Sequence, residues 1–531
     1  MKKQLLLLGS ILLLPIFLFA QESKGFDQRI DEAFQPVSDF FSNIVFFQIA
    51  DGLPFVIALL VLSAFFFTIY FGFINITKFG TAINVVRGKY DDIEGHEGAS
   101  SDATVNDDIR DTIRDESQDG EVTHFQALAT AVSGTVGNGN IAGVALAIAL
   151  GGPGATFWMI ICGLLGMSTK FVECTLGVAY RDIGKDGTVY GGPMYYLTKG
   201  LKERGMAGFG KVLGVLFAIF CIGGSFGGGN AAQSNQATIV LKDLFGLQST
   251  AAGFWIGVIL AVLVGIIIIG GIKRIASVTE KVVPFMAVLY IIACLYIIFS
   301  NFTLIDDAFG AIFKEAFTPR AGIAGGLIGA LMVGFKRAAF SNEAGAGSAS
   351  IAHSAVKTKY AASEGLVALL EPFIDTVVIC TMTALVIIIF NSSGQFAYGG
   401  DGSGAVLIDG ISYEGAGITA KAFGAYIPYS NVFLTIAVVL FAVSTMISWS
   451  YYGLQSWKYL FGRSQMADII YKLMFCLFVI IGAAAQMGSI WAFSDAMIFA
   501  MVFPNMIGLF ILFPRVKEEL TRYLAAIKGA A

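Results

Sequence analysis

Apolar stretches long enough to cross a bilayer recur along this chain, separated by short polar segments. Phe55–Phe71 and Ile256–Ile272 carry no charged side chain. About 20 apolar residues in a helix span the roughly 30 Å hydrocarbon core. A membrane barrel would instead show short segments of alternating polarity. Backbone groups in lipid must pair internally, so runs of this kind predict an all-α integral membrane protein. The pattern predicts spans at Pro54–Thr77, Phe125–Leu150, Phe157–Tyr180, Val212–Leu241, Ala252–Gly271, Val282–Phe299, Ile323–Ala352, Gly365–Phe390, Ile427–Leu454, Ile469–Ala485 and Ile490–Phe513, eleven in all. Ahead of them, Phe26–Asp51 mixes polar and aromatic residues and predicts a short surface helix.

Charge fixes the direction of the bundle. Lys2 and Lys3, the apolar run Leu5–Phe19 and Ala20 read as a secretory signal cleaved before Gln21. With that segment removed, the loops on one side hold 23 Lys and Arg residues and those on the other hold 6. The positive-inside rule then puts the N-terminus outside and the C-terminus in the cytoplasm. Two connections stand out. Segment 91–121 carries 12 acidic residues and two arginines and predicts a loosely ordered cytoplasmic insert. Segment 391–426 is rich in Gly and Ser and predicts an extracellular loop.

Composition agrees with a membrane protein: 56% of residues are apolar and 14% charged, against about 25% charged in soluble domains. A net charge of −4 gives no nucleic-acid signal. The six cysteines fall in apolar segments without metal-ligand spacing and predict no disulfide framework. The three histidines, His96, His124 and His353, are scattered and predict no ligand set.

The chemistry lies in two interrupted spans. The second span holds glycines at 134, 137, 139 and 143, interleaved with Thr135, Asn138 and Asn140. Each glycine costs a helix about 1 kcal/mol relative to alanine. Such a break must face protein, water or ligand. Its freed N–H groups suit a carboxylate, and its carbonyl, Asn and Thr oxygens suit a hard cation such as Na⁺. Close helix packing would explain the glycines but not the asparagines. The seventh span repeats the pattern at Gly334–Ser348, with Ser341, Asn342 and Glu343 among its glycines and the costly Lys336 and Arg337 beside them. These two basic residues could face an aqueous cavity, balance Glu343 or mark a break nearer the cytoplasm. Paired interrupted spans point to a midplane site in an inverted-repeat transporter. An odd number of spans, five, separates the two, so the halves would be inverted. Asn230, Gln233 and Gln236 on the fourth span and Ser444, Thr445, Ser448 and Trp449 on the ninth are further polar groups at membrane depth. Glu173, Glu371, Asp375 and Asp495 read as ion-pair or proton-relay candidates.

At these residues the chain resembles the alanine/glycine:cation symporter family. The matching stretches are Gly134–Gly152 (GTVGNGNIAGVALAIALGG), Gly191–Tyr196 (GGPMYY), Phe340–His353 (FSNEAGAGSASIAH) and Trp449–Gly453 (WSYYG). The resemblance runs from about Pro54 to Phe513. It implies the leucine-transporter fold and sodium-coupled uptake of alanine or glycine across the cell (inner) membrane. It implies that Thr135, Val136, Gly137, Asn138 and Gly139 hold the substrate, with Gln233 or Gln236, Phe340, Thr445 and Trp449 lining its pocket. It implies Na⁺ near Gly134, Asn140, Ser341, Asn342, Ser444 and Thr445. Relatives commonly carry threonine where this chain has Asn138. The resulting division is a signal (1–20), an outer segment (21–53), an extra helix (54–77), an acidic loop (78–123), two five-helix repeats (124–300 and 301–513) and a cytoplasmic tail (514–531). A proton-coupled carrier or an ion channel of the same shape is the alternative. An intramembrane enzyme is disfavoured, because the chain has no HExxH, no paired catalytic aspartates and no Ser/His pair on facing spans.

Overall fold

The computed structural model describes residues 26–50, 52–94, 120–184, 187–247, 249, 251–318, 323, 325–400, 402–485 and 487–530. The expected signal segment and residues 95–119 of the acidic insert lie outside the described residues. Among those described, seven helices are long and apolar enough to cross a membrane, and the pair His124–Thr135 and Gly139–Gly151, bent by 50°, makes an eighth. Phe55–Tyr70 and Ala252–Ile268 are apolar helices of 16 and 17 residues. The seventh expected span is a 17-residue helix, Gly326–Asn342, followed by a turn and the short helix Ala349–His353. Eight of the eleven expected spans therefore qualify by length and composition, and the other three are shorter helices.

Large apolar side chains such as Leu62, Ile259, Phe299 and Leu473 point outward. The interior carries instead an unusual share of small and polar residues, among them Thr169, Lys170, Asn138, Asn140 and Ser448. This is how lipid-embedded helices associate, with small residues letting backbones approach. The central helix Gly154–Ala179 packs on Gly326–Asn342, Ala361–Ala368 and Phe55–Tyr70. Gly163 lies against Thr376, Gly166 against Ala344 and Gly177 against Ser350.

Three elements differ from expectation. The stretch expected as a short surface helix is a 20-residue helix, Phe26–Val45, that packs along Met487–Ala530. The Gly- and Ser-rich 391–426 segment is built, not merely a loop. It contains the antiparallel pair Val406–Ile408 and Ile411–Tyr413 and the helix Ala416–Gly424. That helix lies over the first break, where Thr419 Oγ1 donates to the carbonyl of Ile141 at 3.1 Å. The described ends of the acidic insert are also fastened. Glu94 is buried, and Glu121 accepts the backbone N–H of Val189 at 2.8 Å.

The packing argument is testable. A Cβ on Gly365 would overlap Thr175 Oγ1 and come within 2.8 Å of the Phe171 carbonyl, whereas one on Gly208 would meet open space. Gly365→Ala is expected to cost about 1–3 kcal/mol by overpacking and to lower the detergent-solubilised melting temperature. Gly208→Ala is expected to leave it unchanged or slightly raised. Equal melting temperatures for the two variants would mean the close approach is not tight.

Candidate functional site

The first break begins where the glycines begin. A capping box between Thr123 and Gln126 starts the helix, which runs to Thr135. Val136 is extended, and the chain resumes as a π-turn, Gly139–Gly143. Two of the N–H groups freed by the break are held by side-chain amides. Gly137 N donates to Asn140 Oδ1 at 2.8 Å, and Asn138 N donates to Gln233 Oε1 at 3.1 Å. Gln233 is fixed in turn by its own donation to the carbonyl of Gly228 at 2.9 Å. Gly228 belongs to another π-turn, Gly227–Ala231, which interrupts the fourth span. Asn138 spends its side-chain NH2 on the Gln233 carbonyl at 3.3 Å, and its Oδ1 is buried without a hydrogen-bond partner.

The second break turns through Glu343, a non-glycine residue in left-handed backbone conformation (φ 54°), and then Gly345 and Gly347 at φ of 91° and 87°. Glycine carries such angles without strain. The cost at Glu343 is offset by its side chain, which accepts from Trp449 Nε1 at 2.9 Å and from Ser348 Oγ. Asn342 closes the same turn by accepting the Ala344 N–H at 3.0 Å.

The breaks meet face to face. Between them lies a cavity of about 10 Å³, lined by Gly134, Thr135, Gly139, Gln233, Phe340, Ser341, Thr445 and Trp449 of the expected residues. Gly228, Glu343 and Ile498 complete the wall. Of the other expected residues, Gly137 lies against the Thr445 hydroxyl, and Val136 is buried behind the break. Gln236 turns the other way, toward the backbone N–H of Ala416 at 3.4 Å.

The six residues expected around Na⁺ divide into two groups. Thr445 Oγ1 donates to the Ser133 carbonyl at 3.1 Å and Ser133 Oγ to the Ser444 carbonyl at 2.7 Å, beside Gly134. Asn140, Ser341 and Asn342 gather instead at Asp375 and Thr376.

The charged residues of the interior mostly pair. Lys336 binds Asp495 at 2.9 Å and Arg337 binds the same carboxylate. Neither balances Glu343. Arg337 also lies over the rings of Phe340 and Trp491, at 5.5 and 5.9 Å. Lys170 binds Glu371 at 3.0 Å and lies 3.9 Å from Glu173. His124 and His353, expected to be scattered, share one partner. Both contact Glu364, although 229 residues separate them. His353 further reaches Glu371 at 3.6 Å and His124 reaches Glu94 at 2.8 Å. Sequence distance hid this because the four helical segments involved converge only in three dimensions. Among the described residues no three or more His, Cys, Asp and Glu side chains are grouped as metal ligands, and the cysteines are free.

Sequence reasoning passed over Glu343 as a wall of the cavity. Its signal was present, since it sits inside the stretch already read as a break. Asp375 was named only as an ion-pair or proton-relay candidate, with nothing in one dimension to aim it at Asn140.

Residues 37–530 match the family model for the sodium:alanine symporter family. A sodium/alanine symporter, AgcS, of Methanococcus maripaludis is 40% identical over 460 residues, covering 86% of this chain and 92% of that protein. A probable sodium/glutamine symporter, GlnT, of Bacillus subtilis is 36% identical, covering 74% of this chain and 76% of its own length. Among solved structures, MhsT in complex with L-phenylalanine aligns at 14% identity with a TM-score of 0.47, over 74% of this chain and 99% of that one.

The His124 junction yields a prediction. Glu94 lies beyond the spans. Burial works against its charge, yet His124, Thr358 and Tyr523 hold its carboxyl below the ordinary value of 4.5. A carboxylate depressed in the fold contributes fully above that ordinary value, and the contribution is lost as pH falls through the folded one. Measurements near neutral pH therefore sample the complete contact. His124→Leu leaves Glu94 and Glu364 buried without their shared partner. The expected cost is about 3–5 kcal/mol, read as a lower melting temperature and faster amide exchange in 353–364. Unchanged exchange there would remove His124 from the junction.

Proposed function

The chain belongs to the sodium:alanine symporter family, a family of multi-pass membrane transporters and not of enzymes, and on that premise we propose that it imports small neutral amino acids, alanine and glycine, together with Na⁺. The observation that carries this reading is the cavity held between two facing broken helices. Its volume of about 10 Å³ is about that of one water probe, so substrate enters and leaves only as the breaks move apart. Gly137, Gly139 and Gly228 keep the walls close to the backbone, and Phe340 and Trp449 bound the space for a small apolar side chain.

In this reading the substrate carboxylate takes the N–H groups of Gly137 and Asn138, now held by the amide oxygens of Asn140 and Gln233. Replacing a neutral acceptor by a carboxylate makes a stronger, charge-assisted bond. Na⁺ would sit beside Gly134, Ser444 and Thr445, among carbonyl and hydroxyl oxygens that suit a hard cation. Because the ion and the amino acid touch the same broken helix, each raises affinity for the other by the same factor. The 23-to-6 asymmetry of basic residues supports an N-terminus outside and a C-terminus in the cytoplasm of the cell (inner) membrane. The His124–Glu94–Glu364 junction then closes the cytoplasmic end, and Arg337–Asp495 lies toward the outside. Two inverted five-helix repeats, 124–300 and 301–513, preceded by the Phe55–Tyr70 helix, would supply the two gates by moving relative to each other.

Reconstituted into liposomes, the protein is expected to take up labelled alanine and glycine down an imposed inward Na⁺ gradient. Uptake should collapse when K⁺ replaces Na⁺. Undiminished uptake in K⁺ would overturn sodium coupling. A Cβ on Gly137 would overlap the Thr445 hydroxyl and press on Gln233 Oε1 at 3.2 Å. Gly137→Ala is therefore expected to weaken alanine binding by at least about tenfold, or about 1.4 kcal/mol, while the protein stays folded. Wild-type affinity in this variant would place the substrate elsewhere.

A further inference from the structure

A second cavity, of about 840 Å³, opens at the end of the bundle away from the His124 junction. Phe390 on its wall and Glu364 in that junction stand at opposite ends of one span, Ala361–Ser393. A volume of this size is in the range of small-molecule sites. The cavity separates the helix Ala416–Gly424 from the end of the helix Ala232–Phe245. Gly417, Ala420 and Gly424 line it at helical spacing, so one narrow face of small residues forms a floor. Ile239, Val240 and Phe390 make part of the wall apolar. Three carboxylates line it as well, Asp243, Asp409 and Glu414, against one ammonium, Lys421. Among the described residues none of the three carboxylates accepts a hydrogen bond or has a cation within ion-pair distance. Lys421 Nζ lies 4.8 Å from the centre of the Tyr413 ring. Tyr413, and from farther off Asp409 and Asp243, hold that ammonium above its ordinary value of 10.5.

We propose that this cavity binds an organic cation, an amine with a small apolar body, whose charge takes the place of the Lys421 ammonium at the Tyr413 ring. Lys421 is the chain's own example of the occupant, an ammonium on an aromatic face with carboxylates beyond it. Such a contact favours a cation, most of all where water is excluded. Carboxylates outnumber ammonium groups three to one, so the cavity draws positive charge. An anion would be repelled, and a bare metal ion would leave the apolar wall and the floor of small residues unused. The occupant touches two elements that meet at the first break. The helix Ala416–Gly424 holds the Ile141 carbonyl through Thr419, and the helix Ala232–Phe245 holds Asn138 N through Gln233. Gln236 of the second already reaches Ala416 N of the first at 3.4 Å. A cation bridging the two therefore opposes their separation and slows the opening of the break. That this opening admits alanine rests on the sodium-symport reading above, whereas the site itself does not.

The probe is benzylamine, a cation at neutral pH, with benzyl alcohol as its neutral counterpart. Binding to the full chain in detergent is measured by isothermal titration at fixed ionic strength. Benzylamine is expected to bind at least about tenfold more tightly than benzyl alcohol. Asp243→Asn, Asp409→Asn and Glu414→Gln combined, or Tyr413→Leu alone, are expected to weaken benzylamine at least about tenfold. Lys421→Met removes the resident ammonium and is expected to tighten it at least about fivefold, a gain that damage to the fold would not produce. If the combined variant fails to fold, Tyr413→Leu and Lys421→Met carry the test with their opposite signs. Equal binding of amine and alcohol, or an affinity unmoved in these variants, would overturn the site. In liposomes, benzylamine is expected to lower the maximal rate of alanine uptake and leave the half-saturating alanine concentration unchanged. Asp409→Asn is expected to remove that inhibition and keep the uninhibited rate. A raised half-saturating alanine concentration would put benzylamine in the alanine cavity and overturn the proposal, and unaffected uptake would overturn the bridging of the two helices. A chain whose uptake is indifferent to Na⁺ would overturn the sodium-symport reading, with the titrations unmoved.

Discussion

Inside a bilayer an interrupted helix has no water to receive its freed N–H and C=O groups. Everything at the centre of this molecule follows from how that demand is met. Asn140 and Gln233 reach back to the N–H groups of Gly137 and Asn138, so the first break is closed by side-chain amides from its own helix and from the fourth span. At the second break, Asn342 plays the same part for Ala344. Thr419 serves the carbonyl of Ile141 from a helix that lies outside the bundle proper. These are hydrogen bonds that a ligand with its own carboxylate or charge can replace without leaving the backbone unsatisfied. A continuous helix offers no such exchange.

The interior's charges follow a related rule. Asp495 answers Lys336 and Arg337, Glu371 answers Lys170, and Glu364 sits between two histidines. His124 has carboxylates on both ring nitrogens and satisfies both as donors only in its doubly protonated form. Each cluster ties together helices far apart in sequence. Removing one partner strands the other in a dry site. The clusters thus act as fasteners whose strength depends on completeness. Glu343 and Asp375 are different. Their partners are neutral groups at the cavity and beneath it.

Much of this was legible in one dimension. Long apolar runs gave the helices, and glycines interleaved with asparagine located both breaks, because neither packing nor propensity alone explains that mixture. Eight of the residues expected at the site line the cavity. What could not be read was direction. Gln233 and Gln236 are three residues apart on one helix, yet one faces the cavity and the other the Ala416 backbone. The six residues expected around Na⁺ fall into two groups, since hydroxyl and amide residues carry no label saying which neighbours they approach. The 391–426 segment looked like solvent-facing loop by composition, but its helix Ala416–Gly424 buries one side, with Ile418, Thr419, Ala422 and Phe423 buried. Composition averages over faces and so lost it.

The three π-turns have a consequence for side-chain phase. Gly139–Gly143, Gly227–Ala231 and Phe373–Cys380 each lie in a different span, and all three adjoin the site. A π-turn holds one residue more than an α-turn, which sets the helix beyond it about 100° out of step with the helix before it. Asn140, Gln233 and Asp375 all owe their aim to that slip. Deleting a single residue from any of these turns would leave composition, hydropathy and span length almost unchanged while rotating a whole half-helix away from its partners. The length of each turn is therefore as much a part of the binding site as the residues that touch the cavity.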